Sequence, residues 1–77
     1  MKLKVNLTSL FAKYGKEDSE GFTHLEHGRT VEALAEHLGL PLERIKIVMV
    51  NGQQGDLKTQ LADNDHVYIF PPAIGGG

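Results

Sequence analysis

Cysteine and tryptophan are both absent from this chain of 77 residues. Without cysteine there is no disulfide framework, no thiolate zinc site and no thiol nucleophile. The same absence fits a reducing compartment. Long apolar runs are missing too. The opening "MKLKVNLTSLF" alternates apolar and polar residues where a secretory leader would carry an unbroken apolar stretch. Nothing downstream is long enough to cross a bilayer. A soluble, cytoplasmic protein with no membrane partner is the expectation. Positive charge is scarce, with Lys and Arg totalling 8 against 10 Asp and Glu, for a net charge of −2 with His neutral. No basic stripe is present, which argues against nucleic acid as a direct ligand. Bulk is lacking as well. A single domain of this size buries only about 60–65% of the surface its unfolded chain exposes, so its core is thin. Little room remains for an enclosed active-site pocket. Such a chain presents a surface, or an end, to a larger partner.

What is present is clear periodicity. "KLKVNLTSLF" (Lys2 to Phe11) places Leu3, Val5 and Leu7 on one face and polar residues on the other, predicting a half-buried strand. "AKYGKEDSEG" (Ala12 to Gly21) loses that period and reads as a surface loop. Phe22 to Glu26 follows as a short strand, in a wide hairpin with the first. In "RTVEALAEHLG" the period changes: Val31, Leu34, Ala35 and Leu38 form one helical stripe. Thr30 is suited to cap that helix, Glu32 to its dipole, and Gly39 to a left-handed end before Pro41. "PLER" suggests a single turn, and "IKIVMVNG" a central strand closed by an Asn-Gly hairpin turn. Gln53 to Asp63 suggests a very short strand and a helical turn. "HVYIF" (His66 to Phe70) is the last strand. Strands flanking one amphipathic helix make a small α+β roll. If the first and last strands pair at the sheet centre, they run parallel.

This order, ending on glycines, resembles the ubiquitin-like (β-grasp) fold, with a mixed sheet of four to five strands on one main helix. More closely it is similar to the MoaD/ThiS family of sulfur-carrier proteins. The residues that carry the resemblance are "TVEALAEHLGLP", "IVMVNG", "LADNDHVYIFPP" and the glycine end. The Pro-Pro pair places it nearer the small subunit of molybdopterin synthase than the thiamine-pathway carrier. The resemblance implies a domain over residues 1–72 and a flexible glycine tail over 73–77. It implies that a ubiquitin-activating-type enzyme adenylates the C-terminal carboxylate of Gly77 with ATP. Sulfur then replaces the activated oxygen to give a thiocarboxylate. The large subunit of molybdopterin synthase, or an equivalent acceptor enzyme, takes that sulfur. No cofactor is bound, and the chain is a co-substrate, not an enzyme.

The residue chemistry agrees with that reading. A carboxylate becomes a useful electrophile only when its oxygen is made a good leaving group. Gly75, Gly76 and Gly77 have no side chains, so they fit a narrow channel and accept unusual backbone angles. Pro71 and Pro72 have fixed φ and favour an extended course at Phe70, aiming the tail away from the sheet. Three extended residues reach about 10 Å. One feature departs from the family pattern: Ala73 and Ile74 precede three glycines, not two.

In the last strand Val67 and Ile69 share one face and His66, Tyr68 and Phe70 the other. With Val67 and Ile69 in the core, Tyr68 and Phe70, helped by Ile74, become an outward patch for docking a partner. Leu3, Val5, Leu7, Val31, Leu34, Leu38, Ile45, Ile47 and Leu61 are expected in the core, and Met49 packs. His24, His27, His37 and His66 have no metal-ligand spacing. Asp63 and Asp65 suit turn hydrogen bonds better than acid–base chemistry. Three functions remain: a sulfur carrier for molybdopterin, thiamine or another thiolation; a ubiquitin-like modifier joined to lysines; and an interaction module with an idle tail.

Overall fold

The computed structural model describes residues 1–72. Its strands are β1 (Lys2–Leu7), β2 (Thr23–His24), β3 (Ile47–Val50), β4 (Gln53–Gly55) and β5 (His66–Phe70), with one α-helix, α1 (Val31–Leu38). They form one sheet in the order β2-β1-β5-β3-β4. β1 and β5 run parallel, with Val5 beside Val67 and Leu7 beside Ile69. The other neighbours are antiparallel. This is the expected β-grasp arrangement, a mixed five-stranded sheet with one helix against it.

α1 forms for the reasons its sequence suggests. The Thr30 hydroxyl accepts from the Ala33 N–H at 3.1 Å. Gly39 ends the helix at φ 80°, ψ 19°, and its N–H returns to the carbonyls of Ala35 and Glu36. Val31, Leu34, Ala35 and Leu38 are all buried. Two N–H groups of the first turn are taken up from outside: Val31 donates to Thr59 O and Glu32 to Leu57 O. The segment after β4 is therefore a turn that seals the helix, not the helical turn expected between Gln53 and Asp63. Its own Asp56 sets that course, accepting from the Lys58 N–H at 2.8 Å, an Asx turn that competes with helix.

Two further expectations need correction. β1 stops at Leu7, and Ser9–Tyr14 is a 3-10 helix. Continued alternation would spread Leu10 and Phe11 over both faces of the sheet. The turn instead drives Phe11 into the core, where 2% of it is exposed. The second strand is only two residues long, although the Met1 and Leu25 backbones exchange bonds of 2.9 Å just beyond it.

The core lies between α1 and one face of the sheet. It contains Leu3, Phe11, Leu25, Val31, Leu34, Leu38, Leu40, Val48, Leu61, Val67 and Ile69, with Val5, Leu7, Ile45 and Val50 packed at its edge. Ile47 is not in it. Register places Val48 beside Ile69 and Ile47 beside Phe70, so Ile47 points to the opposite face and is 40% exposed. Ile45 and Ile47 do not share a face because Ile45 closes a 3-10 turn (Leu42–Arg44) and the strand begins only at Ile47.

The Asn-Gly turn is as its sequence suggests. Asn51 and Gly52 both have positive φ, 52° and 84°, joining β3 to β4 in the sense that suits strand twist. Among the described residues, no helix is long and apolar enough to cross a membrane.

Candidate functional site

β5 lies in the middle of the sheet and divides its side chains cleanly. Val67 and Ile69 are fully buried beneath α1. His66, Tyr68 and Phe70 project from the other face, each half-buried. They form a ladder: His66 and Tyr68 rings stack at 4.6 Å, Tyr68 and Phe70 at 6.3 Å. The His66 imidazole is tied to Asn6 on β1 through Nε2 and Oδ1 at 2.6 Å. On the β3 side, Met49 stands beside Tyr68 and Ile47 beside Phe70. Four apolar side chains thus share a face that, among the described residues, no helix covers. Sequence reasoning found Tyr68 and Phe70 on this face but missed Ile47 and Met49. The β3–β5 register decides their side, and register follows from pairing, not from the β3 residues alone.

The β1 side of the same face is cationic. Lys2 and Lys4 alternate with buried Leu3, and their ammonium groups sit 4.5 and 5.5 Å from the Phe22 ring. Phe22 is held by an ordered turn at the end of the exposed loop. The Asp18 carboxylate accepts from the N–H groups of Glu20 (2.8 Å) and Phe22 (3.0 Å) and meets His24 Nε2 at 2.7 Å. The His24 hydrogen bond, followed by that from Phe22, lowers the Asp18 carboxyl from 3.8 to about 2.

At the far end of β5 the chain leaves the sheet through Pro71 and Pro72. Here a groove of about 260 Å³ opens, lined by Leu10, Phe11, Tyr14, Pro41 and the two prolines, with Lys13 and Arg44 as its charged side chains. Ile74, Gly75, Gly76 and Gly77 lie outside the described residues, as does the whole proposed tail, 73–77.

The remaining candidates have structural work. Asp63 Oδ1 accepts from the Lys2 N–H at 2.7 Å, and Asp65 accepts from the Ala62 N–H and from Asn51 Nδ2, both at 2.8 Å. These bonds hold the turn before β5 against β1 and the β3–β4 hairpin. His27 and His37 line a separate open groove beside Glu26 and Glu36. Among the described residues, no three His, Asp or Glu side chains gather in a metal-binding group.

The geometry is thus a helix-backed sheet with a half-buried aromatic ladder on its other face and a chain exit at one end. The model of the ThiS family matches residues 8–76, nearly the whole chain. This protein belongs to the ThiS family. Members are small ubiquitin-like carriers or modifiers and not enzymes themselves; they work with ubiquitin-activating-type enzymes and with sulfur-acceptor enzymes. Among solved structures, the ThiS-family chain is similar to the crystal structure of SAMP1 from Haloferax volcanii, at a TM-score of 0.64 and 20% identity, covering 99% of this chain and 100% of that one. At that identity the likeness speaks for the fold. No curated protein matches this chain.

Proposed function

We propose that this ThiS-family protein is a sulfur carrier whose reacting group is the main-chain carboxylate of Gly77, and that its sulfur goes to molybdopterin synthesis. The observation that carries the reading is the family match, which runs through the glycines to residue 76. A ubiquitin-activating-type enzyme joins the Gly77 carboxylate to the AMP portion of ATP, releasing pyrophosphate. A sulfide equivalent attacks the acyl carbon, AMP leaves with the electrons of the broken C–O bond, and a thiocarboxylate remains. Gly75 and Gly76 let the end pass through a channel too narrow for side chains. Pro71 and Pro72 set the direction of approach. Tyr68 and Phe70, with Ile47 and Met49 beside them, dock the partner, and Ile74 adds to that contact. Aromatic and Met side chains are the ones interfaces favour at their centres.

The Pro-Pro pair followed by Ala73 and Ile74 favours the molybdopterin branch, with the large subunit of molybdopterin synthase as the acceptor. The protein binds no cofactor of its own; ATP is bound by the activating partner. The test is intact-mass spectrometry of the chain co-expressed with its activating enzyme and a sulfur donor. A sulfur-for-oxygen exchange, absent when Gly77 is deleted, supports the reading. A chain that keeps its oxygen under those conditions overturns it. The modifier reading shares the adenylation step and differs in its product, an isopeptide bond to lysine.

A further inference from the structure

We infer that the groove at the chain exit is a second docking element, which receives from the activating enzyme an apolar side chain flanked by carboxylates. This rests on the carrier reading above and names what that partner must present. The argument begins with reach. Five residues follow Pro72 in the sequence, and five extended residues span at most about 17 Å. An enzyme that takes Gly77 into its active site must therefore bring the mouth of its channel to the surface around Pro72. A partner footprint of standard size covers about 800 Å² on each side, a disc roughly 16 Å in radius. Centred near the chain exit, that disc covers Phe70 and Ile47 on one side and the groove on the other.

The two sides differ in chemistry. Phe70 and Ile47 offer only apolar surface. In the groove, Leu10 is 48% exposed, Tyr14 and Pro41 are half-buried, and both charged side chains, Lys13 and Arg44, are cations. Among the described residues, no acidic side chain lines it, in a chain whose net charge is −2. Backbone geometry sets where the two cationic side chains leave the chain. Lys13 sits in the last turn of the 3-10 helix with its ammonium 5.6 Å from the Tyr14 ring. Arg44 closes the turn begun at Pro41, its N–H donating to Pro41 O at 2.9 Å. An apolar groove with two cations among its lining residues complements an apolar side chain flanked by carboxylates, and selects against partners that present basic surface there.

The test uses the full chain and an activating enzyme that adenylates it, with KM and kcat for the chain measured by ATP-dependent pyrophosphate exchange. Lys13→Glu/Arg44→Glu is expected to raise KM by about tenfold or more and to change kcat by less than about twofold, because the groove binds without touching the reacting atoms. Lys13→Gln/Arg44→Gln, a milder change should the reversal disturb folding, is expected to give an intermediate KM. Lys58→Glu, in the turn beside the start of α1, is the charge control and should leave KM unchanged. An unchanged KM in both groove variants, or an equal rise with Lys58→Glu, overturns the inference while leaving the carrier reading intact. A wild-type chain that is never adenylated defeats the carrier reading itself, and the groove assignment with it.

Discussion

Replacing Asn51 tests how the hairpin turn is held to the strand that carries the aromatic ladder. Asn51 has φ 52°, a left-handed conformation. Its Oδ1 accepts from the His66 N–H at 2.9 Å, and its Nδ2 donates to Asp65 Oδ1 at 2.8 Å. Its own N–H donates to His66 O at 2.8 Å, and that bond survives any substitution except proline. Asn51→Ala removes both side-chain bonds, worth about 0.5 kcal/mol each at exposed positions. It also puts an ordinary side chain in the left-handed region, costing about 1–2 kcal/mol. The expected loss is about 2–3 kcal/mol, or a fall in Tm of about 10–20 °C for a domain of this size. Asn51→Gly removes the same bonds but accepts the positive φ, so its loss is about 1–2 kcal/mol, including the added freedom of glycine in the unfolded chain. Urea unfolding followed by circular dichroism measures both. A native-like Asn51→Ala, or an Asn51→Gly less stable than it, would refute the reasoning.

Other perturbations probe separate parts of the fold. Phe11→Ala empties a position only 2% exposed and should cost about 3–5 kcal/mol, while Leu10→Ala, next to it but 48% exposed, should fall within about 0.5 kcal/mol of native; equal losses in thermal melts would contradict the placement of the 3-10 helix. Gly28 and Gly39 have φ of 85° and 80°, but only at Gly28 would an added Cβ meet another atom, Ala33 Cβ at 2.6 Å. Gly39→Ala should cost about 1–2 kcal/mol and Gly28→Ala about 1–3 kcal/mol more, a ranking that denaturant midpoints check. The Asp18 carboxyl is lowered to about 2 from 3.8. A depressed folded pKa means its contribution is complete above 3.8 and is lost as pH falls toward and through about 2. Asp18→Asn should therefore flatten the acid limb of the stability curve in that window; urea midpoints with the same pH slope in both proteins would count against the His24 and Phe22 hydrogen bonds.

The elements that were legible in the sequence are those whose signal is local. Thr30, the Val31-Leu34-Ala35-Leu38 stripe and Gly39 specify α1 within a dozen residues, and Asn51-Gly52 specifies its turn by backbone preference alone. β5 was legible because alternation and one helix force Val67 and Ile69 inward. The failures are positions where a distant partner decides. Ile47 faces outward because Ile69 pairs with Val48. Phe11 leaves the strand period because the 3-10 turn carries it into the core. The segment after β4 turns at Asp56 and is held there because the free N–H groups of α1 take the carbonyls of Leu57 and Thr59. The exit groove was missed for the same reason: Lys13, Arg44 and Pro71 are far apart in sequence and meet only when β5 ends beside the two 3-10 turns. Of the candidate site, Tyr68, Phe70, Pro71 and Pro72 could be placed from sequence and are found at the end of the central strand. Their companions Ile47, Met49 and Leu10 could not.

The central claim is that Gly77 carries sulfur to a small molecule. It is tested most directly by loading the chain with labelled sulfur through its activating enzyme, adding the acceptor enzyme and its pterin precursor, and following the label in a single turnover. The account predicts that the label leaves the chain and appears in the small-molecule product, with the chain released bearing an ordinary carboxylate. Label lost as free sulfide while the chain becomes joined to lysines of other proteins would contradict it.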